Sequence, residues 1–503
     1  MLILKELISL LPPSKICQIR LIGQDLDSDS KLGALYYAIL ENEVKSDLEA
    51  AEMLYKGNPS LSSYKKLKQR LRERLLNTLF FTDINIPKYT DYKTAVANCY
   101  HEYSLVKLLL TKHARNTAIW LAEQLLEQTK RFEISELNYL LTADLMNHYG
   151  LLELNRKKYQ NLKELNADAN KSLDAEQKAA LAFSLISFIN LDSSKVDKSD
   201  YDSFIILLDE LDQLYLEVNT NRFLLLYANA KALYLNEQHD YTEIINLCKG
   251  ILEIVKKKHF ENRTFEYVLI RKIMNSYFNL GQIDKANMIA KDSLILTKPG
   301  THNWFIVFYY HCLFQLHLKK YEDANRTLIK TLNENSDSVR YLSPLLKEYW
   351  FTIQAYIELL KLYGKIESEE EISTFRLQKF INDVPVYQKE KQGRKVAVLL
   401  VQLMFFIGRN EYGKYIDRLE ALQQYRRRHL GEPNTYRANC IIRMMTKVGK
   451  LSFHPVRVEA HTRNDIKSLT SKSPAFSNSS ADVEIIPYEH LWEMVLEMLE
   501  KNL

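Results

Sequence analysis

One stretch limits what this chain can fold into: TFEYVLIRKIMNSYFNLGQIDKANMIAKDSLILTKP, Thr264 to Pro299. Its first half places Phe265, Val268, Leu269, Ile273, Tyr277 and Leu280 at spacings that keep one face of a 3.6-residue helix apolar. Gly281 interrupts the pattern, because glycine reaches the left-handed conformation that ends a helix. A second helix restarts at Ile283, with Ala286, Ala290 and Leu294 on one stripe and Pro299 as its stop. Two such helices form an αα-hairpin, and a lone hairpin cannot bury both apolar faces. The chain must supply neighbours on either side.

Composition agrees. A chain of 503 residues is too long for one ordinary core, so it forms several domains or one extended array. Only 13 Gly and 11 Pro leave few turns of special geometry, which favours long helices over a β-rich fold. A net charge of +5 is too mild for nucleic-acid binding by the chain as a whole, so any such activity must reside in a local patch. The five cysteines, Cys17, Cys99, Cys248, Cys312 and Cys440, are odd in number and widely spaced, which predicts reduced thiols. The N-terminus lacks the order of a signal peptide. The longest apolar run, Val396 to Ile407, is too short to cross a bilayer and reads as a buried helix. The expectation is a cytoplasmic protein without membrane attachment.

Residues 1–83 read as a small helical domain. A short helix Leu2–Leu11 is followed by a polar loop, Gln24 to Ser30, and by helices at Lys31–Glu41, Asp47–Lys56 and Ser62–Phe81, with Gly57-Asn58-Pro59 between the last two. The third helix carries Leu67, Leu71, Leu75 and Leu79 as an apolar stripe. Lys65, Lys66, Lys68, Arg70, Arg72 and Arg74 load it with positive charge against Glu73 alone.

From residue 91 to 450 helical pairs recur. Most second helices open on an aromatic or aliphatic residue with a packing position three residues on. Those packing positions fall at Ala118, Leu162, Ile244, Ala286, Ala324 and Tyr415. Further units near Tyr201–Leu216 and Glu369–Phe380 bring the period to about 38–46 residues. On these residues the chain resembles the tetratricopeptide-repeat family, most closely around Gly281 and Tyr321. The resemblance implies an all-α fold: an α-solenoid of seven or eight antiparallel hairpins, right-handed, presenting a concave surface to protein partners. The segment from Leu48 through Ala51, Leu54, Tyr55, Gly57, Ser60, Tyr64, Leu67, Lys68, Arg70, Leu71, Arg74 and Leu75 resembles winged-helix domains that precede such repeats in bacterial transcriptional activators. That likeness implies DNA contact through the basic helix. The same residues also suit a helix whose Lys and Arg stems cover neighbouring apolar surface, or one that docks a protein.

Residues 453–487 are polar and Ser-rich and read as a flexible linker, with Val456–Ala460 a short strand or extended arm. The chain ends in an amphipathic helix, 488–503, around Trp492. That helix could cap the last repeat or insert into a partner's groove. Arg426, Arg427 and Arg428 sit at a helix end, where they suit the helix dipole or an acidic partner.

No phosphate-cradling glycine loop, zinc motif or nucleophile elbow occurs. His311 and His317 lie on different faces of one helix and read as structural, and His239 occupies a turn. No catalytic residue, metal or cofactor is expected. The expected function is a non-enzymatic interaction scaffold or adaptor, or else a DNA-binding regulator with the repeats as its sensor or assembly arm.

Overall fold

The computed structural model describes residues 30–41, 43–44, 46–55, 62–81, 92–191, 198–333, 335–339, 342–367, 380, 394–429, 436–471 and 484–503. The expected helix Leu2–Leu11, the loop up to residue 29, the Gly57-Asn58-Pro59 turn and nearly all of the unit at 369–380 lie outside them. The described residues form α-helices, one 3-10 turn and their connections, with no strand among them.

The chain divides into two compact units, Met1–Gln177 with Lys258–Asn262, and Lys178–Lys257 with Arg263–Leu503. The first unit opens with α1 (Lys31–Leu40), α2 (Asp47–Tyr55) and α3 (Ser62–Phe81). These share a small core of Leu32, Leu35, Ala50, Ala51, Tyr64, Leu67 and Leu71. The next helices are α4 (Tyr92–Thr111), α5 (Arg115–Arg131), α6 (Ser135–Leu151) and the start of α7 (Arg156–Leu191). A second core holds Val106, Ala122, Leu125, Leu137, Leu141 and Leu145. The short piece 258–262 joins this unit because Tyr92 N–H donates to Glu261 O at 3.0 Å, Phe260 stacks on Tyr92, and Lys258 pairs with Glu133.

The second unit continues from within α7 through α8 (Lys198–Leu214), α9 (Asn221–Glu237), α10 (Tyr241–Lys256), α11 (Arg263–Asn279) and α12 (Ile283–Ser293). It goes on through α13 (His302–His317), α14 (Tyr321–Asn333), α15 (Ser336–Val339), α16 (Pro344–Leu362) and α17 (Arg394–Gly408). The last elements are α18 (Tyr412–His429), α19 (Tyr436–Lys450), α20 (Pro455–Thr470) and α21 (Tyr488–Lys501). Successive helices pack on one another, and one large core runs from Met274 to Leu499. All six packing positions read from the sequence are buried. The expected face of α11 is buried at Phe265, Leu269 and Ile273, half-buried at Val268 and Tyr277 and exposed at Leu280 in the turn beyond it, whereas Tyr267, Met274 and Phe278, outside that face, are buried. That helix packs against α9 and α10 on the one hand and α12 on the other, so burial runs round more of it than one amphipathic stripe would. The run Val396–Ile407 is buried throughout in α17.

One turn geometry joins many of these helices. A residue in the left-handed conformation is followed by one whose N–H reaches back to a carbonyl in the last helical turn, as in a Schellman cap. Gln282 donates to Tyr277 O at 2.9 Å behind Gly281, and Lys365 to Leu360 O at 2.8 Å behind Gly364. The same bond follows His113, Glu133, His239, Lys319, Asn410 and Ser452, all at positive φ. Left-handed backbone costs a non-glycine residue about 1–2 kcal/mol. Replacing His113 with Gly is therefore expected to raise stability by about 0.5–1 kcal/mol. Replacing Gly281 with Ala is expected to lower it by about 1 kcal/mol or more. An added Cβ at 281 meets nothing within 4 Å, so the loss would be conformational alone. Urea denaturation reads both effects, and equal midpoints for the two variants would count against this account of the turns.

The segment expected as a flexible linker, 453–487, is corrected over its first half. Pro455–Thr470 is a helix, α20, with Val458, Thr462, Asp465 and Leu469 buried. Proline is suited to the first helical turn, where its missing N–H has no partner to lose. Residues 472–483 lie outside the described residues. The contacts divide the chain between Gln177 and Lys178, and the expected boundary between 83 and 91 lies outside the described residues.

Two histidines in the second unit make stability depend on pH. Burial pushes His311 and His317 down to about 4 from 6.5. The unfolded chain therefore takes up protons near pH 6.5 that the folded chain refuses until about pH 4. The stability they contribute is complete above pH 6.5 and falls as pH drops through that window, by up to about 1.4 kcal/mol per pH unit for each. Denaturation midpoints at pH 7 and pH 5 should differ accordingly, and equal midpoints would contradict it.

Candidate functional site

The basic helix belongs to a unit built by a short polar contact. The Ser30 side chain caps α1 by accepting from Gly33 N–H at 3.0 Å. Asp47, first residue of α2, accepts from Tyr64 Oη at 2.8 Å and from Lys68 Nζ at 2.6 and 2.8 Å. The hydrogen bonds from Lys68 and then Tyr64 hold the Asp47 carboxyl below its usual range. Burial, and then Asp47, push the Tyr64 phenol up to about 12. These bonds fix the rotation of α3 about its axis. Tyr64, Leu67 and Leu71 turn inward to the core shared with α1.

The remaining arc of α3 is basic. Lys65, Lys66, Lys68, Arg70 and Arg72 are exposed and Arg74 is half-buried. By helical spacing the six form two rows, Lys65–Lys68–Arg72 and Lys66–Arg70–Arg74, on either side of a ridge holding Gln69 and Glu73. Gln69 Nε2 donates to Glu73 Oε1 at 2.8 Å along that ridge. Among the described residues, Lys65, Lys66, Arg70 and Arg72 have no ion-pair partner, whereas Lys68 is held by Asp47. The apolar stripe is shorter than its spacing suggests: Leu75 reaches solvent, and the Leu79 side chain lies outside the described residues.

The other expected contact residues fall elsewhere. Arg426 and Arg427 lie in the last turn of α18, the first half-buried and the second exposed, and the side chain of Arg428 is outside the described residues. Trp492 is only 3% exposed and packs in the second unit's core with Leu491, Val495 and Leu499. Its indole is thus taken up by the chain itself and offers no surface for a partner.

What holds α21 in that position could not be read from the sequence. Arg437, on α19, is 8% exposed and grips two carboxylates. Its Nε and Nη2 donate to Glu484 at 2.6 and 2.9 Å, and its Nη1 and Nη2 donate to Glu489 at 2.7 and 2.6 Å. Nη1 also donates to Leu469 O at 2.7 Å. His317 Nε2 donates to Glu484 O at 2.6 Å. Burial alone would lower the guanidinium, but its bonds to Glu484 and Glu489 outweigh this and keep it charged. One cation thus ties α19, the end of α20 and the start of α21. The only hint in the sequence is an arginine within the apolar pattern of α19; its partners are 47 and 52 residues away.

Among the described residues, no group of three His, Cys, Asp or Glu side chains could hold a metal ion, and no helix is long and apolar enough to cross a membrane. Cys99, Cys248, Cys312 and Cys440 are buried and free. Comparison with protein-family models, with curated proteins and with solved structures finds no match to this chain.

Proposed function

We propose that this chain is a non-enzymatic interaction scaffold built as a divergent tetratricopeptide-like solenoid of helical hairpins. The observation that carries the reading is the recurrence of one hairpin device along the chain. Buried residues stand at the repeat-spaced positions from Ala118 to Tyr415, and the same left-handed turn joins helix to helix. Stacked hairpins of this kind create extended surface at little cost in new loops, which suits them to holding other proteins. The test is affinity capture with the full chain under native conditions, with bound proteins identified by mass spectrometry. Stoichiometric recovery of defined partners supports the reading, and recovery of none removes it.

A second reading has its own observation. The two basic rows of α3 flank a polar ridge, which is the arrangement a helix needs to meet the phosphates of both strands while lying in a major groove. Retention on duplex DNA that weakens with salt and is lost on charge reversal at Arg70 and Arg72 would support a DNA-binding regulator.

A further inference from the structure

The corner between α6 and α7 holds a cavity of about 390 Å³, walled by Met146, Tyr149, Gly150, Leu151, Leu154 and Tyr159, with Asn147 and Arg156 also lining it. Its walls are fixed in advance. Gly150 lets the Tyr159 ring lie against the helix backbone, since a Cβ there would stand 2.9 Å from a ring carbon. Tyr149 Oη donates to Glu123 at 2.6 Å and accepts from Lys158 Nζ at 2.8 Å. The Asn155 side chain caps α7 by accepting from Lys158 N–H at 3.1 Å. At the rim Leu151 and Leu154 are 74% and 75% exposed, which is unusual for neighbouring leucines on an ordered turn.

The charge around the rim leans positive, with Arg156, Lys157 and Lys158 against Glu123 and Glu153, and of these only Arg156 lines the cavity. Glu153 is engaged by His148 at 3.2 Å, and Glu123 by Lys158 and Tyr149. Arg156 and Lys157 are exposed and have no ion-pair partner among the described residues. The start of α7 adds the positive end of a helix dipole at the same place. The volume admits one large apolar side chain together with the backbone that carries it, and the rim suits carboxylates beside it.

We propose that this corner is a docking site for an acidic peptide segment anchored by a single apolar side chain. The proposal rests on the scaffold reading and names the chemistry of one partner. The anchor would enter between Tyr149, Tyr159 and the exposed leucines, and flanking Asp or Glu residues would face Arg156 and Lys157. Preformed walls keep the ordering cost of binding low.

The test uses the full chain on an array of short peptides with a central Leu, Phe or Trp. The flanks are Asp and Glu in one series and Lys in a second, and a third series has Ser at the centre. The expected result is retention of the acidic, apolar-centred series only. Arg156→Glu and Leu154→Ser should each weaken it by on the order of 10-fold, and the part sensitive to Arg156 should fade with salt. Both side chains are exposed, so thermal melting of the variants should overlay that of the parent. Retention indifferent to flank charge, or unchanged in both variants, would overturn the proposal. So would self-association of the chain that Leu154→Ser abolishes, because a second copy would then be the occupant. If affinity capture recovers partners equally well with parent and variants and the array shows no selectivity, this site fails while the scaffold reading stands. If the array behaves as expected and capture recovers no protein, the scaffold reading fails instead.

Discussion

Replacing Arg437 with alanine is expected to destabilise the second unit by about 3–5 kcal/mol, the range for removing one partner of a buried ion pair. The loss arises because Glu484 would keep its negative charge, or take up a proton, where water cannot reach to solvate it, while Glu489, half-buried, would be only partly solvated. Glu484 is fully enclosed, and burial already pushes its carboxyl above the ordinary range, with Arg437 drawing it part of the way back. Leu469 O would lose a donor as well. Arg437→Lys keeps the charge but cannot span both carboxylates, because an ammonium lacks the fork of the guanidinium. It should fall between alanine and the parent. Arg437→Ala with Glu484→Gln should recover part of the loss, since one unpaired charge is removed. Denaturant titration gives the magnitudes. Hydrogen exchange gives the place, with protection lost first in α21, and tryptophan emission should shift as Trp492 meets water. A loss below 1 kcal/mol would mean that the two carboxylates find water without unfolding, and the cluster would not be what holds α21 down.

The second large effect concerns α3. If α3 lies against duplex DNA, Arg70→Glu with Arg72→Glu removes one phosphate contact from each basic row. The slope of log affinity against log salt should then become shallower by ~2, close to one unit per lost contact. Retention at moderate salt should fall for all sequences alike, because phosphate contacts do not read bases. Lys68→Glu offers an internal comparison. Lys68 is tied to Asp47, so its loss should disturb the α2–α3 packing more than the salt slope. Equal retention by the double variant and the parent would remove the DNA reading and leave the rows as a solvated face.

Much of the architecture was legible in the sequence. The periodicity of α1 to α3 gave helices that end within about a residue of those observed. The spacing of small and apolar residues marked positions that are buried from Ala118 to Tyr415. The run Val396–Ile407 had to be interior because it has no polar face to offer solvent. These features are local, and a helix face repeats every few residues whatever lies across from it.

The turns at Gly281 and His239 were legible in the sequence, and most of the others were not. At Gly281 the left-handed conformation carries little strain and the residue type announces it; Gly364 adopts it too, though its turn was not read from the sequence. At His113, Glu133, His239 and Lys319 the same conformation is imposed by the helices on both sides, whose packing outweighs the local strain. Pro455 misled in the opposite sense, since a proline that stops one helix is equally suited to start the next. The partners of Arg437 were beyond reach altogether. Glu484 is an unremarkable acid beside a Ser-rich stretch until the fold carries it across to α19.

The amino-acid sequence by itself determined an all-helical chain of paired helices, the faces they bury and a basic helix near the start. Those follow from periodicity and side-chain chemistry within a few turns of backbone. Only the tertiary structure decided that Asp47 holds Lys68 among the basic residues of α3, that Trp492 is core, and that Arg437 has one buried and one half-buried carboxylate to satisfy. The same holds for the corner at Leu151–Arg156, which is left apolar and open beside Arg156 and Lys157. Each of these depends on which surface meets which, and burial of a charge or exposure of a leucine is a property of the neighbour as much as of the residue.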